Sequence, residues 1–316
     1  MDINGLFSNF GELTTTGLTQ GAIYALVALG YTLVYGVLRL INFAHSEVFI
    51  TGAFFAVWTW QFLWGLNQDS TVSGLVAVGC LVSAMVVAAL ASATIASVVE
   101  MVAYRPLRKR HAPPLAFLIT AIGASIVISE AYAILTRRRP TGMPTLVSTD
   151  PLIHIGGVPI SAADLLIVAS ALIMMIVLDI FINRSRIGRG IRAVAQDANT
   201  AALMGINKDR IILLVFLTGG LMAGIAGVLF NVRIGVLTYS VGFLMGIKAF
   251  TAAVLGGIGN LRGALLGGLL LGVTENYASG LFGTQWKDFT AFAVLVVLLM
   301  FRPTGLLGES LGRVRA

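Results

Sequence analysis

Long apolar runs constrain this chain more than any other feature of its sequence. From Ser70 to Val99, thirty consecutive residues carry no charged side chain. A helix needs about 20 mostly apolar residues to cross the hydrocarbon core of a bilayer. We predict nine spans, at roughly 14–38, 42–64, 72–103, 114–136, 162–183, 211–232, 238–258, 263–283 and 286–301. The second begins with a polar run and the seventh contains a lysine, so either is a candidate for a broken or re-entrant segment.

Composition agrees with a membrane protein. Charged residues make up 11% of the chain and apolar residues 57%, whereas a typical soluble domain has about 25% charged residues. So few charges cannot cover the surface of a water-soluble fold. This excludes a soluble enzyme, a disordered chain and a nucleic-acid-binding domain. We predict an all-α fold, a single polytopic helical bundle over residues 1–316 with about eight to ten spans. The lone cysteine, Cys80, does not indicate a redox compartment.

Lysine and arginine positions predict the orientation. With nine spans and a cytoplasmic C-terminus, fifteen of the 21 basic residues lie in inner loops, five lie outside and Lys248 lies within a span. The positive-inside rule therefore predicts an outside N-terminus. The triplet from Arg137 to Arg139 is an exception to this bias. The first thirteen residues contain no basic residue, so we expect the first span to be retained rather than cleaved as a signal peptide.

Two loops are long enough to have functions of their own. The outer loop, 137–161, is rich in proline and glycine and is either a connector or a docking surface for an external partner. The inner loop, 184–210, contains a predicted helix from Ala193 to Met204, stopped by Gly205. That helix has a small apolar face. It either lies on the bilayer surface or inserts into a groove of a soluble partner.

Glycines four residues apart predict close helix packing. Such pairs are Gly220 with Gly224, Gly263 with Gly267, and Gly268 with Gly272. A different pattern, Gly256, Gly257 and Gly259 within an apolar run, indicates a helix opening that brings backbone groups near a pathway. No Walker A pattern occurs in the chain, so any ATP that drives the protein is expected to bind another subunit.

Ionisable residues inside spans are costly and are functional candidates by default. They are His45, Glu47, Glu130, Asp179, Lys248 and Glu275. We expect Asp179 and Glu100 to be interfacial and Lys248 to pair with a buried glutamate, more as a structural contact than as part of a proton path. We also expect Asn42, His45 and Ser46 to share a helix face, and we note Lys248 with Thr251 and Glu275 with Asn276 as polar pairs.

Neither metal binding nor catalysis is predicted. His45 and Glu47 lie two residues apart, so they do not share a helix face, and no second cluster of ligands accompanies them. No nucleophile-base-acid arrangement is recognisable. We therefore expect a chain that is not itself an enzyme and that binds no cofactor.

Four stretches carry a resemblance to a known family. They are residues 21–36 with 41–47, 185–189 with 201–207, 245–259, and 302–308. Together they resemble the LivH-type permeases of branched-chain amino acid ABC importers, over about 14 to 308. Ser46 stands where that family often has glycine, and the outer loop matches less well.

The resemblance implies a permease subunit in the cytoplasmic membrane of a prokaryote. Its expected partners are a LivM-like permease, two cytoplasmic ATPase subunits that hold ATP and magnesium, and an external binding protein; homodimeric pairing stays open. It implies that 193–206 is the coupling helix, with Arg189, Arg192, Asp197, Ala201, Ala202, Gly205 and Ile206 contacting the ATPase. For the substrate pathway we expect Asn42, His45, Ser46, Glu47, Lys248, Thr251, Gly256, Gly257, Gly259 and Glu275.

Other functions remain as alternatives. Similar permeases carry urea, short amides or other neutral amino acids. An ion-driven secondary transporter would use Glu47, Glu130 and Glu275 as coupling acids. A membrane scaffold without transport would leave the buried acids merely paired.

Overall fold

A computed structural model describes residues 9–148, 150–155 and 158–308. Its helices are α1 (Phe10–Leu38), α2 (His45–Trp58), α3 (Gly74–Val99), α4 (Arg105–Lys109), α5 (Pro114–Leu135), α6 (Ala162–Arg184), α7 (Arg186–Gln196), α8 (Ala198–Leu203), α9 (Lys208–Ile234), α10 (Val241–Gly256), α11 (Leu261–Phe282) and α12 (Lys287–Phe301). Short strands are β1 (Thr141–Gly142), β2 (Pro151–Ile155), β3 (Val158–Ser161) and β4 (Val236–Leu237). The predicted polytopic helical fold is confirmed.

Fewer helices than predicted are long and apolar enough to span a bilayer by themselves. Among the described residues six pass, or seven when α10 and α11, which are bent by 119° at their junction, count as one span. The other predicted segments are shorter. Helix α2 has 14 residues before it widens into a π-turn at Thr59–Leu63, and α10 has 16. The expected eight to ten full spans therefore exceed what length and composition support.

Links between successive segments alternate between two ends of the bundle. At one end Arg108 contacts Asp209 at 2.7 Å, and Arg262 contacts Asp179 at 3.2 Å. The link after α1, the helices α4, α7 and α8, the α10–α11 junction and residues 302–308 lie there, and we call it the α7 end. At the opposite end β1 pairs antiparallel with β4 and β2 pairs with β3. Most of the basic residues consequently gather at the α7 end.

Glycine contacts bring the central helices within backbone distance. A Cβ built on Gly272 would lie 2.3 Å from the Gly17 carbonyl oxygen, joining α11 to α1. One built on Gly224 would lie 2.4 Å from the Ala88 oxygen, joining α9 to α3. These approaches confirm the predicted packing role of the spaced glycines, because only a residue without a side chain fits there.

The peripheral helices α5 and α12 keep most of their surface exposed. Only 22% of the most apolar window of α5 and 6% of that of α12 are buried within the chain. Their exposed side chains are large and apolar, for example Val127, Ile134, Phe289 and Met300. Such faces suit a lipid environment, where exposing apolar side chains carries no penalty.

Candidate functional site

The entry to α2 is built by a break in the chain. Arg39 adopts a left-handed backbone conformation (φ 55°) and ends α1, and α2 begins only at His45. Asn42 therefore precedes the helix, which corrects the expectation that it shares a helix face with His45 and Ser46. Its side-chain oxygen accepts hydrogen bonds from the Ala44 amide at 3.2 Å and the Tyr104 hydroxyl at 3.1 Å. Asn42 thus shapes the turn that positions the first residues of α2.

Glu47 is a buried acid that has no positive partner within the described part of the chain. Its side chain is 1% exposed, and none of the described residues forms an ion pair with it. Oε1 accepts hydrogen bonds from Ser125 Oγ at 3.3 Å and Ser46 Oγ at 3.4 Å. Oε2 has no hydrogen-bond partner in the described part of the chain. A buried charge normally needs such a partner, so the bonding of this carboxylate is incomplete among the described residues.

Two rings extend this site toward α1. Tyr31 and His45 pack edge to face with centroids 4.9 Å apart. The Tyr31 hydroxyl and His45 Nε2 are buried, and neither has a hydrogen-bond partner among the described residues. We call Tyr31, His45, Ser46, Glu47 and Ser125 the Glu47 cluster. It concentrates unpartnered polar atoms in the middle of an apolar bundle.

Two glycines of α10 form the opposing wall of the Glu47 cluster. A Cβ built on Gly242 would lie 2.9 Å from Glu47 Oε2, and one on Gly246 would lie 2.3 Å from the Ser46 Cβ. The same position on Gly246 would lie 3.1 Å from the Tyr31 hydroxyl. These glycines let α10 approach α2, and any larger residue would fill the space beside the carboxylate.

The second polar group, which we call the Lys248 cluster, consists of the buried residues Tyr24, Lys248 and Glu275 and of Asp288, which is 53% exposed. Lys248 Nζ lies 3.2 Å from Glu275 Oε1 and 2.7 Å from Asp288 Oδ1. The Tyr24 hydroxyl donates to Glu275 Oε2 at 2.8 Å. The expected ion pair of Lys248 is confirmed, with Glu275 as its buried partner. Two carboxylates lie within 3.2 Å of the ammonium group, so both acids of this cluster have a positive partner.

The predicted pathway residues consequently divide between two faces of α10. Gly242 and Gly246 are four residues apart and share one face, whereas Lys248 follows Gly246 by two residues and points away from it. Thr251 is buried, and its hydroxyl has no hydrogen-bond partner among the described residues. No described contact joins it to Lys248. Asn276 is also buried, and its side chain donates to the Gly272 carbonyl at 2.9 Å.

The glycines Gly256, Gly257 and Gly259 differ in burial and in the groups they contact. A Cβ on Gly256 would lie 1.9 Å from the Gly263 oxygen, and Gly257, at φ 106°, lies against the backbone of Gly308. Leu307 donates its amide to the Gly256 oxygen at 2.9 Å. Both buried glycines therefore allow the α10–α11 junction to pack on residues 302–308. Gly259 is exposed and lines a cavity of about 740 Å³ at the α7 end.

The inner loop folds as two helices, not one. The predicted helix from Ala193 to Met204 is broken at Asp197, whose backbone is extended. The Asp197 side chain accepts hydrogen bonds from the Asn199 amide at 2.8 Å and the Thr200 amide at 3.3 Å, so it caps α8. Aspartate favours such N-cap positions, and this local preference overrides helix propensity across the break.

The two short helices present a buried and an exposed face. Ile191, Val194 and Ala201 are buried. Leu203 and Met204 are 88% and 80% exposed. Of the other predicted coupling residues, Arg189, Arg192, Asp197, Ala202 and Gly205 are exposed, and Ile206 is half-buried. A pair of exposed large apolar residues on a polar loop is typical of a protein contact.

The surroundings of Asp197 also lower the pKa of its carboxyl group. The Thr200 hydroxyl, followed by the backbone amides of Asn199 and Thr200, holds the pKa of Asp197 below its ordinary value. A depressed pKa stabilises the folded segment above the pKa of the unfolded chain, and that contribution is lost as the pH falls through the folded value. The cap of α8 is therefore fully charged at neutral pH and weakens only below the ordinary pKa of aspartate.

One buried site was missed by sequence reasoning. Glu100 is completely buried within the chain and pairs with Arg105 and Arg108 at 2.8 Å each, which its sequence neighbourhood alone did not indicate. Arg108 also holds Asp209 at the start of α9. The signal was the arginines five and eight residues after the acid, which a π-turn at Glu100–Tyr104 brings together. This network fixes α3 to α9 at the α7 end.

The two remaining acids lie near the surface. Glu130 is 47% exposed and pairs with Arg138 at 2.7 Å. Asp179 is 25% exposed, consistent with its expected interfacial position, and pairs with Arg262. Neither belongs to the Glu47 cluster or the Lys248 cluster.

Comparison with known proteins places these features in context. The profile described as "Branched-chain amino acid transport system / permease component" matches residues 13–299. The chain is 43% identical over 303 residues to the high-affinity branched-chain amino acid transport system permease protein BraD of Pseudomonas aeruginosa, covering 93% of this chain and 94% of BraD. It is 40% identical over 306 residues to the permease protein LivH of Escherichia coli K12, covering 96% and 97% of the two chains. LivH of Salmonella typhimurium is 39% identical with the same coverage.

Proposed function

We propose that this chain, which belongs to the family of branched-chain amino acid transport permease components, is the membrane subunit of an ATP-driven importer that carries leucine, isoleucine and valine. One observation carries the proposal: the family match spans residues 13–299, and so includes both the Glu47 cluster and the exposed helices α7 and α8. The chain itself is a transport subunit and not an enzyme. Its partners supply the hydrolysis of ATP.

The proposed assembly has a second, LivM-like permease, two ATPase subunits that bind ATP and magnesium, and an external binding protein. We place the α7 end in the cytoplasm and the N-terminus outside, in a prokaryotic inner membrane. Arg39, Arg108, Arg262 and most of the other basic residues lie at the α7 end, which supports this orientation.

Helices α7 and α8 are the proposed coupling segment. Leu203 and Met204 form the exposed apolar contact, and Arg189 and Arg192, which are also exposed, add positive charge to the segment. The buried residues Ile191 and Val194 attach α7 to the bundle. A displacement imposed by an ATPase would therefore reach α6 and α9 through packed side chains, as a rigid-body motion.

The Glu47 cluster is the proposed point of substrate passage. An amino acid in a membrane needs an anionic partner for its ammonium group. Glu47 forms no ion pair with a described residue, whereas Glu275 forms one with Lys248. We therefore assign Glu47, with His45 and Ser46, to the pathway, and we assign Lys248 and Glu275 to the packing of α10 on α11. If the external binding protein selects the substrate, this cluster controls the passage of the substrate rather than its recognition.

The first experiment is transport by the complete complex in proteoliposomes. The complex is supplied with ATP on the ATPase side and external binding protein on the other, and uptake of labelled leucine is measured with isoleucine, valine, alanine and urea as competitors. ATP-dependent leucine uptake that isoleucine and valine inhibit supports the proposal. Uptake that only urea inhibits would replace the cargo, and uptake driven by an ion gradient without ATP would overturn the mechanism.

The second experiment tests the coupling segment with a matched pair of variants. Asp197→Ala removes the cap of α8, while Asp197→Asn keeps an N-cap residue of the same size. We expect the alanine variant to lower ATPase association and uptake at least fivefold and the asparagine variant to stay near wild type. Gly205→Pro should abolish both, because φ 85° is inaccessible to proline. Normal uptake by Gly205→Pro would exclude the coupling role.

A further inference from the structure

Three neighbouring spaces follow one another between the Glu47 cluster and the α7 end. The Glu47 cluster includes Tyr31 and packs against Gly246. A narrow cavity comes next, and Tyr31, Tyr35 and Phe250 are among the residues that line it. The cavity of about 740 Å³ at the α7 end, which we call the wide cavity, shares Tyr35 and Ile258 with the narrow one. Each space therefore shares a residue with the next.

Helical spacing explains this order. Tyr31 and Tyr35 are four residues apart on α1, and Gly246, Phe250 and Val254 are four residues apart on α10, so each set shares one helix face. Both helices run toward the α7 end. Gly246 contacts the Glu47 cluster, Phe250 lines the narrow cavity and Val254 lines the wide cavity. Sequence order along α10 is therefore also the order of the three spaces.

Aromatic rings close the middle of this series. The Phe250 ring lies with its centroid 6.2 Å from that of Tyr31 and 5.7 Å from that of Phe43, which are favourable distances for aromatic pairs. The narrow cavity beside them has a volume of about 10 Å³, which is room for about one water molecule. An amino acid does not fit there, so the three rings separate the Glu47 cluster from the wide cavity.

Phe250 is the ring that can move at the lowest cost. Tyr31 is buried and also packs edge to face on His45. Phe250 is half-buried, and its side chain has no polar atom, so turning it breaks no hydrogen bond. A helical side chain leans toward the N-terminus of its helix, here over Gly246, which has no side chain to obstruct the ring.

The wide cavity connects this ring to water and to the proposed coupling segment. Gly259 and Thr304, which line it, are exposed, and Arg192 and Ala195 of α7 form part of its wall. Apolar constrictions control passage in membrane proteins by excluding water and charged groups. We propose that Phe250 is the inner gate of the permease: its ring closes the route from the Glu47 cluster to the wide cavity, and its displacement lets the substrate leave toward the α7 end.

The identity of the substrate and the direction of transport rest on the proposed function, whereas closure by Phe250 does not. The test therefore measures access to the Glu47 cluster without ATP, binding protein or cargo. Cys80, the lone cysteine of the chain, is replaced by alanine, and Ser46→Cys places one thiol in the cluster. The complete complex is reconstituted in proteoliposomes with the ATPase subunits facing the bath. Trimethylammonium-ethyl methanethiosulfonate, which does not cross membranes, is added to the bath, and mass spectrometry gives the labelling rate.

The size of the side chain at position 250 should set that rate. Ser46 is 2% exposed, so with Phe250 in place the Ser46→Cys thiol should react slowly. Phe250→Ala should raise the rate at least tenfold, Phe250→Leu should give an intermediate rate, and Phe250→Trp should leave it slow. Thr304→Cys, in the wall of the wide cavity, should react quickly in every variant because the reagent reaches that cavity directly.

Two controls separate a gate from general loosening of the bundle. Phe181 is also half-buried at the α7 end but lines neither the narrow nor the wide cavity, so Phe181→Ala should leave Ser46→Cys slow. Ala84 is fully buried in α3 and lines neither cavity, so Ala84→Cys should stay unreactive in the whole series.

Three results would overturn the inference. They are an unchanged rate at Ser46→Cys in both Phe250→Ala and Phe250→Leu, an equal rise in Phe181→Ala, or a rise at Ala84→Cys that parallels the rise at Ser46→Cys. Vesicles of the same complex, supplied with ATP and binding protein, report leucine uptake. Absent uptake by the wild-type complex, combined with labelling that depends on Phe250, would reject the proposed cargo and retain the gate.

Discussion

The clusters on the two faces of α10 differ in how their buried charges are paired. On one face Lys248 meets Glu275 and Asp288, and the Tyr24 hydroxyl completes the bonding of the glutamate. On the other face Glu47 receives two long hydrogen bonds from serines and no positive charge from the described residues. In the first arrangement every charged group has a partner of opposite charge. The second is incomplete unless a ligand or a proton joins it.

This difference separates stability from function along one helix. Paired charges hold helices together. Removing one of them leaves the other buried without a partner in a medium of low dielectric constant. An unpaired buried acid contributes little to packing. The free-energy cost of burying it is tolerated where the acid has a function. We therefore expect substitutions in the Lys248 cluster to change stability first and substitutions in the Glu47 cluster to change transport first.

The largest expected effect is on the stability of the Lys248 cluster. Lys248→Met should lower the free energy of unfolding by about 3–5 kcal/mol, since Glu275 is then buried without its cation. The double variant Lys248→Met with Glu275→Gln should recover most of that loss. Denaturation of the purified permease in graded detergent mixtures measures both. A single variant as stable as wild type would contradict the assignment of this cluster to packing.

Glu47→Gln should produce the reverse pattern. Glutamine keeps an oxygen for the Ser46 and Ser125 hydroxyls and removes a charge that has no described partner, so unfolding should change by less than about 1 kcal/mol. Leucine uptake, however, should fall at least tenfold. Glu130→Gln is the matched control, because that acid is exposed and pairs with Arg138 at the surface. Equal uptake by Glu47→Gln and Glu130→Gln would remove Glu47 from the pathway.

Sequence reasoning identified the buried charged residues but not how they divide into the Glu47 cluster and the Lys248 cluster. An intramembrane lysine requires an acid, so a partner for Lys248 could be predicted. Which glutamate it meets depends on how α10 packs against α11, and that is a tertiary property. Glu47 and Lys248 were both predicted for one pathway because helical spacing alone does not show which neighbour each helix face meets.

Local chemistry explains the other differences. The break at Asp197 follows from N-cap preference, which a residue-by-residue view of helix propensity underestimates. The burial of Glu100 depends on a π-turn that brings arginines five and eight residues away onto the same acid. The packing of Gly256 and Gly257 against residues 302–308 joins segments about 50 residues apart, and no local pattern predicts such a contact.

Gly246→Ala tests the wall of the Glu47 cluster. The added Cβ would lie 2.3 Å from the Ser46 Cβ, so α10 and α2 must separate, at about 1–3 kcal/mol, with a several-fold loss of uptake. Ser46→Gly removes the atom that clashes, so the double variant should regain stability. Gly123→Ala, where nothing lies within 4 Å, is the control and should be neutral or stabilising. A double variant no more stable than Gly246→Ala would show that the clash lies elsewhere.

The smallest expected effects come from removing single hydroxyl groups. One removal should mainly lower stability, and the other should mainly lower uptake. Tyr24→Phe removes the 2.8 Å hydrogen bond to Glu275, whereas Ser125→Ala removes the 3.3 Å bond to Glu47. We expect Tyr24→Phe to lower unfolding free energy by about 1–2 kcal/mol with uptake within twofold of wild type. Ser125→Ala should cost less than about 1 kcal/mol yet lower uptake two- to fivefold, because it changes the surroundings of the unpartnered carboxylate. Detergent denaturation and leucine uptake on the same preparations give both values. If both variants reduced stability and uptake in the same proportion, the two faces of α10 would not differ in role, since a purely structural defect lowers the two quantities together.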